Sequence, residues 1–266
     1  MISITTINSL WRYRGFISGS IKREFQTKYR NSLLGAAWTI LNPLAMITVY
    51  TVIFSEVMGN RLGGVDSTYA YSIYLCAGVL TWALFAEITG RSQTVFIEHA
   101  NLIKKLQFPR LCLPIIVVFN ACINFGIIFG LFTIFLVVSG SFPGWMFLSI
   151  FPVLLIQIVF SIGLGMILGV LNVFFRDVGQ FFGILLQFWF WFTPIVYPVK
   201  TLPPAARDLL VWNPMVPIIT SYQNVLVYGR APDWTALLPV TLLALALCIL
   251  GMKLFRKRAG EMVDEL

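Results

Sequence analysis

Charge is what this sequence has least of. Of its 266 residues only 11% are Asp, Glu, Lys or Arg, 58% are hydrophobic, and the mean hydropathy is +0.85. A soluble domain carries roughly 25% charged residues. Too few polar side chains are present to coat a water-exposed surface, which predicts an all-α integral membrane protein. Histidine is nearly absent, with His99 standing alone. No G-x-x-x-x-G-K-[ST] stretch occurs, so the chain has no P-loop to cradle ATP phosphates. Neither H-E-x-x-H nor G-x-S-x-G occurs. The four cysteines, Cys76, Cys112, Cys122 and Cys248, lie in or beside apolar runs without C-x-x-C spacing. That pattern points to buried free thiols and away from disulfides or metal ligands. Residues 1–30 are basic and interrupted by polar groups, unlike a cleavable signal peptide. Ionisable groups inside apolar runs usually mark ion or proton relays. Here they reduce to Glu87, one helical turn from Arg91, and Asp177, beside Arg176 at a turn. A membrane-embedded transferase would need a cluster of Asp, His or Glu at one membrane face, and none is legible.

What the sequence does have is long apolar runs. Residues 1–33 come first, with Leu10, Tyr13, Ile17, Ile21, Phe25 and Tyr29 at helical spacing among six basic residues. This predicts a basic amphipathic helix in the membrane surface. Six spans follow, at about 34–57, 69–89, 111–138, 145–174, 178–196 and 235–255. Asn42-Pro43 falls inside the first, where proline removes a backbone donor and favours a kink. The basic residues set the orientation. With the N-terminus inside, fifteen of the nineteen Lys and Arg fall on the cytoplasmic side. The positive-inside rule therefore places both termini there. The net charge of +8 is spread along the flanks of apolar runs, not gathered in a stripe, and this speaks against nucleic acid.

Three polar or irregular segments stand out. Residues 92–108 alternate apolar and polar side chains and end at Pro109, which predicts a short cytoplasmic amphipathic helix whose apolar face docks on a partner. Asn172–Pro198 sets the charged pair Arg176-Asp177 before an aromatic-rich span that runs into Thr193-Pro194 and Pro198. Seven of the thirteen prolines lie between Pro194 and Pro232. The apolar stretch among them is too short to cross. Residues 197–233 therefore read as a re-entrant or interfacial helix pair, broken at Asn213-Pro214, that caps an outer mouth. Irregular backbone at membrane depth survives only where protein or a watery cavity buries it.

Five segments together carry a resemblance: NSLLGAAWTILNPL (31–44), NLIKKLQFPRLCLP (101–114), NVFFRDV (172–178), TPIVYP (193–198) and WNPMVPIITSYQNVL (212–226). In this order and with this layout the chain resembles the permease subunits of ABC-type polysaccharide exporters. The O-antigen exporters are the nearest likeness, with capsule and teichoic-acid export permeases as cousins. The resemblance implies two permease chains around one channel, driven by two cytoplasmic ATPase subunits that hold the ATP and Mg2+. This chain would then bind no cofactor and catalyse nothing itself. The cargo would be a polysaccharide on a polyprenyl diphosphate, moved outward across the bacterial inner membrane. The 92–108 segment, with Glu98, His99, Asn101, Leu102, Ile103, Lys104 and Lys105, would be the coupling helix in a groove of the ATPase. Residues 1–33 would be the interface helix, and the pair within 197–233 the outer gate.

Helical spacing assigns a path for such a cargo. Gln180, Gly183, Gln187, Trp191 and Pro194 share a stripe on the fifth span, and Thr39, Asn42, Met46 and Tyr50 share one on the first. Buried amides and hydroxyls need partners, so both stripes are expected to face a pore or the partner span. Phe181, Leu185, Phe188 and Phe192 are expected to face other helices or lipid. Lys28, Arg30 and Arg176 are candidates to meet the diphosphate, a role that competes with simple anchoring to anionic lipid. An ATPase-independent channel or secondary transporter is the alternative, though no internal repeat of the kind many secondary transporters carry is legible.

Overall fold

The computed structural model describes residues 11–28, 35–58, 69–105 and 109–266. All regular structure among these residues is helical. In chain order the α-helices are α1 (Arg14–Lys28), α2 (Trp38–Met58), α3 (Ala70–Glu98), α4 (Ala100–Lys105), α5 (Cys112–Val138) and α6 (Ile150–Phe174). They continue with α7 (Asp177–Trp191), α8 (Pro204–Leu210), α9 (Met215–Tyr228), α10 (Trp234–Arg258) and α11 (Glu261–Glu265). Short 3-10 turns precede α2, α6 and α8.

Four helical stretches among the described residues are long and apolar enough to cross a membrane: α3, α5, Gly144–Phe174 and α10. The other two expected spans are shorter. In α2 the apolar helical stretch is Ile40–Val52. α7 has fifteen residues, about 22 Å at 1.5 Å per residue against a hydrocarbon core of about 30 Å. It stops at Trp191 because Thr193 precedes Pro194, and a residue before proline is biased away from helical backbone. The expected span to Val196 thus ends five residues early, and irregular chain takes over.

α6 is the hub, packing along α10 and α3. Small residues allow the close approach. A Cβ on Gly163 would lie 2.7 Å from the Cys248 amide nitrogen in α10, and one on Gly169 would lie 2.5 Å from the Ser92 carbonyl oxygen in α3. Gly165 and Gly169 form a G-x-x-x-G pair against Ser92, the spacing by which membrane helices bring backbones together. α2 packs on α3 and α5, α7 on α3 and α6, and α1 on α5.

The core has two main parts. The larger joins α3, α5, α6, α9 and α10 through Phe85, Phe132, Phe160, Ile218, Tyr222 and Leu237, all fully buried. The smaller gathers Val95, Phe96, Ile103, Val170, Phe255 and Met262 from the ends of α3, α6 and α10 together with α4 and α11. Phe96 and Phe255 stack there with ring centres 5.7 Å apart. α10 begins at Asp233, whose carboxylate accepts from the Thr235 hydroxyl (2.6 Å) and from the Thr235 and Ala236 amides. These bonds, the Thr235 hydroxyl foremost, hold its pKa below the ordinary aspartate value.

Candidate functional site

The charged turn between α6 and α7 is built around Asn172. Its amide nitrogen donates to the Gln93 carbonyl of α3 (2.8 Å), and its oxygen accepts from the Gly179 amide (2.9 Å). One buried side chain therefore sets where α7 leaves α6 and ties both to α3. Gly179 has no room for a Cβ, which would lie 2.8 Å from the Asn172 oxygen. Arg176 is exposed at the N-cap of α7 and Asp177 is exposed in its first turn. A carboxylate there suits the positive end of the helix dipole.

Along α7, Phe182 is buried, while Leu186, Trp189 and Phe190 pack partly buried against the larger core. Trp189 meets Phe85 edge-on at 5.2 Å and Trp82 at 6.2 Å. Gln180, Gln187 and Trp191 are exposed, and so are Phe181, Leu185, Phe188 and Phe192. The open face is therefore wider than a single stripe, because α7 rests on its neighbours through one narrow edge. On α2, Asn42 is exposed, whereas Met46 and Tyr50 are half-buried against the chain's own core. The Thr39 side chain lies outside the described ones. α2 and α7 both pack on α3.

Beyond α7 the irregular segment at 192–198 is held by side chains from three directions. From α3, the Tyr71 hydroxyl donates to the Val196 carbonyl (2.5 Å), and that of Tyr74 to the Pro194 (3.1 Å) and Tyr197 (3.0 Å) carbonyls. From α9, Gln223 donates to Pro194 (3.0 Å). Asn213 supplies the third anchor. Its oxygen accepts from the Trp189 indole (2.8 Å) and the Met215 amide (3.0 Å), and its nitrogen donates to the Phe192 carbonyl and the Thr193 hydroxyl, both at 3.0 Å. Thr193 and Ile195 are fully buried. The irregular backbone is thus satisfied by protein, as apolar surroundings require. The helix pair expected in 197–233 is α8 and α9, and Asn213-Pro214 does separate them. α9 is largely buried against α3.

At the other end of α3 lies a polar network. Arg91 pairs with Glu24 of α1 and, at 3.6 Å, with Glu87 one turn away. Asn120 of α5 donates to Glu24, and Asn124 donates to Glu87 (3.0 Å). The Glu87–Arg91 pair is the one the spacing suggests. The contacts of Glu24 with Arg91 and Asn120 have no local sequence signal, since they join residues 67 and 96 positions apart.

The segment after Thr89 differs from its expected form. The stripe Ile88, Ser92, Val95 and Phe96 continues the buried face of α3, so the helix runs unbroken to Glu98 and only α4 is separate. Ile103 is 6% exposed and Leu102 is half-buried in the smaller core. The chain folds this part of the apolar face onto its own core, beside Met262. Glu98, His99, Asn101 and Lys104 stay exposed. His99 ends α3, with its Nδ1 2.9 Å from the Val95 carbonyl. The Lys28 and Lys105 side chains and all of Arg30 lie outside the described residues.

The ABC-2 type transporter profile matches residues 17–227. The chain belongs to that family. Among curated ABC-2 relatives it is 32% identical over 266 residues to an O-antigen export system permease protein RfbA of Myxococcus xanthus, covering 99% of this chain and 100% of that one. It is 29% identical over 237 residues to an RfbA of Klebsiella pneumoniae, covering 88% of each. Against the polysialic acid transport protein KpsM of Escherichia coli it is 22% identical over 242 residues, 91% of this chain and 92% of the other. This ABC-2 permease is a membrane component without a P-loop of its own.

Proposed function

We propose that this chain is the membrane permease of an ATP-driven exporter that moves a polyprenyl-diphosphate-linked polysaccharide of O-antigen type outward across the bacterial inner membrane. The observation that carries this reading is the full-length similarity to the Myxococcus xanthus export permease. The KpsM likeness supports a second reading, capsular polysaccharide as cargo. In both readings two copies of the chain frame the path, and two copies of a cytoplasmic ATPase bind ATP and Mg2+. The chain crosses six times, with α2 and α7 as the first and fifth spans and both termini cytoplasmic. The exposed face of α7 (Gln180, Gln187 and Trp191) with Asn42, Met46 and Tyr50 of α2 then lines the path. The amides offer exchangeable hydrogen bonds and the aromatics flat faces for sugar C–H groups. Thr39, Lys28, Arg30 and Arg176 keep their roles as path and diphosphate candidates.

α3 gives a physical link between the two ends. It is 29 residues long, roughly 43 Å as a straight helix. At one end it carries the Arg91 network and α4; at the other its tyrosines hold the outer segment. A push on the exposed face of α4 is transmitted to the outer mouth as movement of one rod. The deciding experiment is a glycan blot of a strain lacking this chain. Accumulation of lipid-linked polymer inside the cell supports export, and normal surface polymer refutes it. Co-purification of the ATPase, weakened by Glu98→Lys with Lys104→Glu, separates this reading from a self-sufficient channel.

A further inference from the structure

A groove of about 540 Å3 lies between α5, α6 and α10, away from α7. Its walls include Val118, Phe119, Met166, Leu245, Ile249 and Met252, and its charged lining is Lys253 and Arg256, both near the end of α10. The volume falls within the roughly 300–1,000 Å3 range of small-molecule sites. From Leu245 to Arg256 the groove follows twelve residues of α10, a rise of about 16 Å at 1.5 Å per residue, close to half of a ~30 Å hydrocarbon core. An apolar channel one leaflet deep, closed by two cations at interfacial depth, has the dimensions and charge of a lipid site. The cytoplasmic leaflet is the anionic one, and basic pockets between helices on that side bind anionic head groups.

We propose that this groove binds one anionic phospholipid of the cytoplasmic leaflet, with an acyl chain along α10 and the phosphate at Lys253 and Arg256. The inference rests on the orientation reading that puts the end of α10 in the cytoplasm. Its test does not, because binding is read on the purified protein without export.

The full chain is purified in detergent and offered equal amounts of phosphatidylglycerol and phosphatidylcholine, and retained lipid is counted by native mass spectrometry. Phosphatidylglycerol is expected to be retained in preference. Lys253→Gln with Arg256→Gln should weaken its retention by roughly thirty-fold, about fivefold for each cation at an anionic surface. Lys253→Arg with Arg256→Lys should keep it. Ile249→Trp fills the groove at an exposed position and should remove the lipid while leaving both cations. Equal retention of the two lipids overturns the proposal, as does an unchanged double variant. Displacement of phosphatidylglycerol by a stoichiometric polyprenyl diphosphate also overturns it, making the groove a cargo-tail site instead.

Discussion

Replacing Asn213 by alanine tests whether the irregular segment at 192–198 is held in the way the hydrogen bonds indicate. The side chain makes four bonds, but they do not weigh equally. The Phe192 carbonyl it serves belongs to an exposed residue and can turn to water, and the Thr193 hydroxyl still donates to the Trp189 carbonyl (2.7 Å). The costly losses are the indole N–H of Trp189 and the amide of Met215, both part-buried donors left without their acceptor. At about 1–2 kcal/mol for each such donor, the change destabilises by about 2–4 kcal/mol. At roughly 2–4 °C per kcal/mol for a chain of this size, thermal unfolding in detergent should shift down by about 4–16 °C. Asn213→Asp separates hydrogen bonding from shape. It keeps the acceptor for Trp189 and Met215 but turns a second oxygen toward two acceptors. It should therefore be destabilised at neutral pH and recover as the pH falls toward the ordinary aspartate value of about 4. Protonation supplies the missing donor. An alanine variant with the wild-type midpoint, or an aspartate variant insensitive to pH, refutes the assignment.

Gly169→Ala places a Cβ 2.5 Å from the Ser92 carbonyl oxygen. Because that atom is backbone, α3 and α6 must part, at a cost of about 1–3 kcal/mol. Gly126→Ala, with nothing within 4 Å, is the control, and equal thermal midpoints for the two would refute the close approach. Glu24 and Arg91 are partly exposed, so a double-mutant cycle of Glu24→Gln and Arg91→Gln should return a coupling of only about 0.2–1 kcal/mol. Hydrogen exchange should nevertheless show α1 loosened in each single variant, and unchanged protection would remove the network from the tether. Trp191→Ala should impair glycan export while leaving the thermal midpoint in place, since that side chain is 64% exposed. Trp189→Ala should lower the midpoint by several degrees, because its ring packs on Trp82 and Phe85. Full export by the Trp191 variant would sink the path assignment.

The order and class of the helices are legible in the sequence because apolar runs and punctuating prolines are local signals. Asn213-Pro214 is one such mark, and the two helices it separates stand where it places them. Legibility fails where a helix changes neighbours without changing composition. The segment after Thr89 turns polar, which reads as a separate amphipathic helix, yet Ser92, Val95 and Phe96 keep the helical stripe of α3 in register with α6. For α4 the periodicity correctly finds an apolar face, but only the fold shows that Met262, about 160 positions away, is buried in the same core. The glycine pair Gly165 and Gly169 sits at the close contact between α6 and α3, but its spacing does not single it out, since Gly126 and Gly130 have the same spacing and open space around them.

The same reasoning bears on α7. Its aromatic richness divides into two populations that composition cannot separate. Phe182 and Trp189 are committed to this chain's core, whereas Phe181, Phe188, Trp191 and Phe192 are more than half exposed. Gln180 and Gln187 stand on the exposed side among those rings. A face meant only for lipid gains nothing from two amides, which lose hydrogen-bonding partners in hydrocarbon. Their presence favours contact with something that can exchange hydrogen bonds, and a polysaccharide with its own hydroxyls is such a partner. Gln187→Leu separates the alternatives: against lipid the change stabilises the protein and leaves export intact, whereas along a sugar path it lowers export while the protein stays folded.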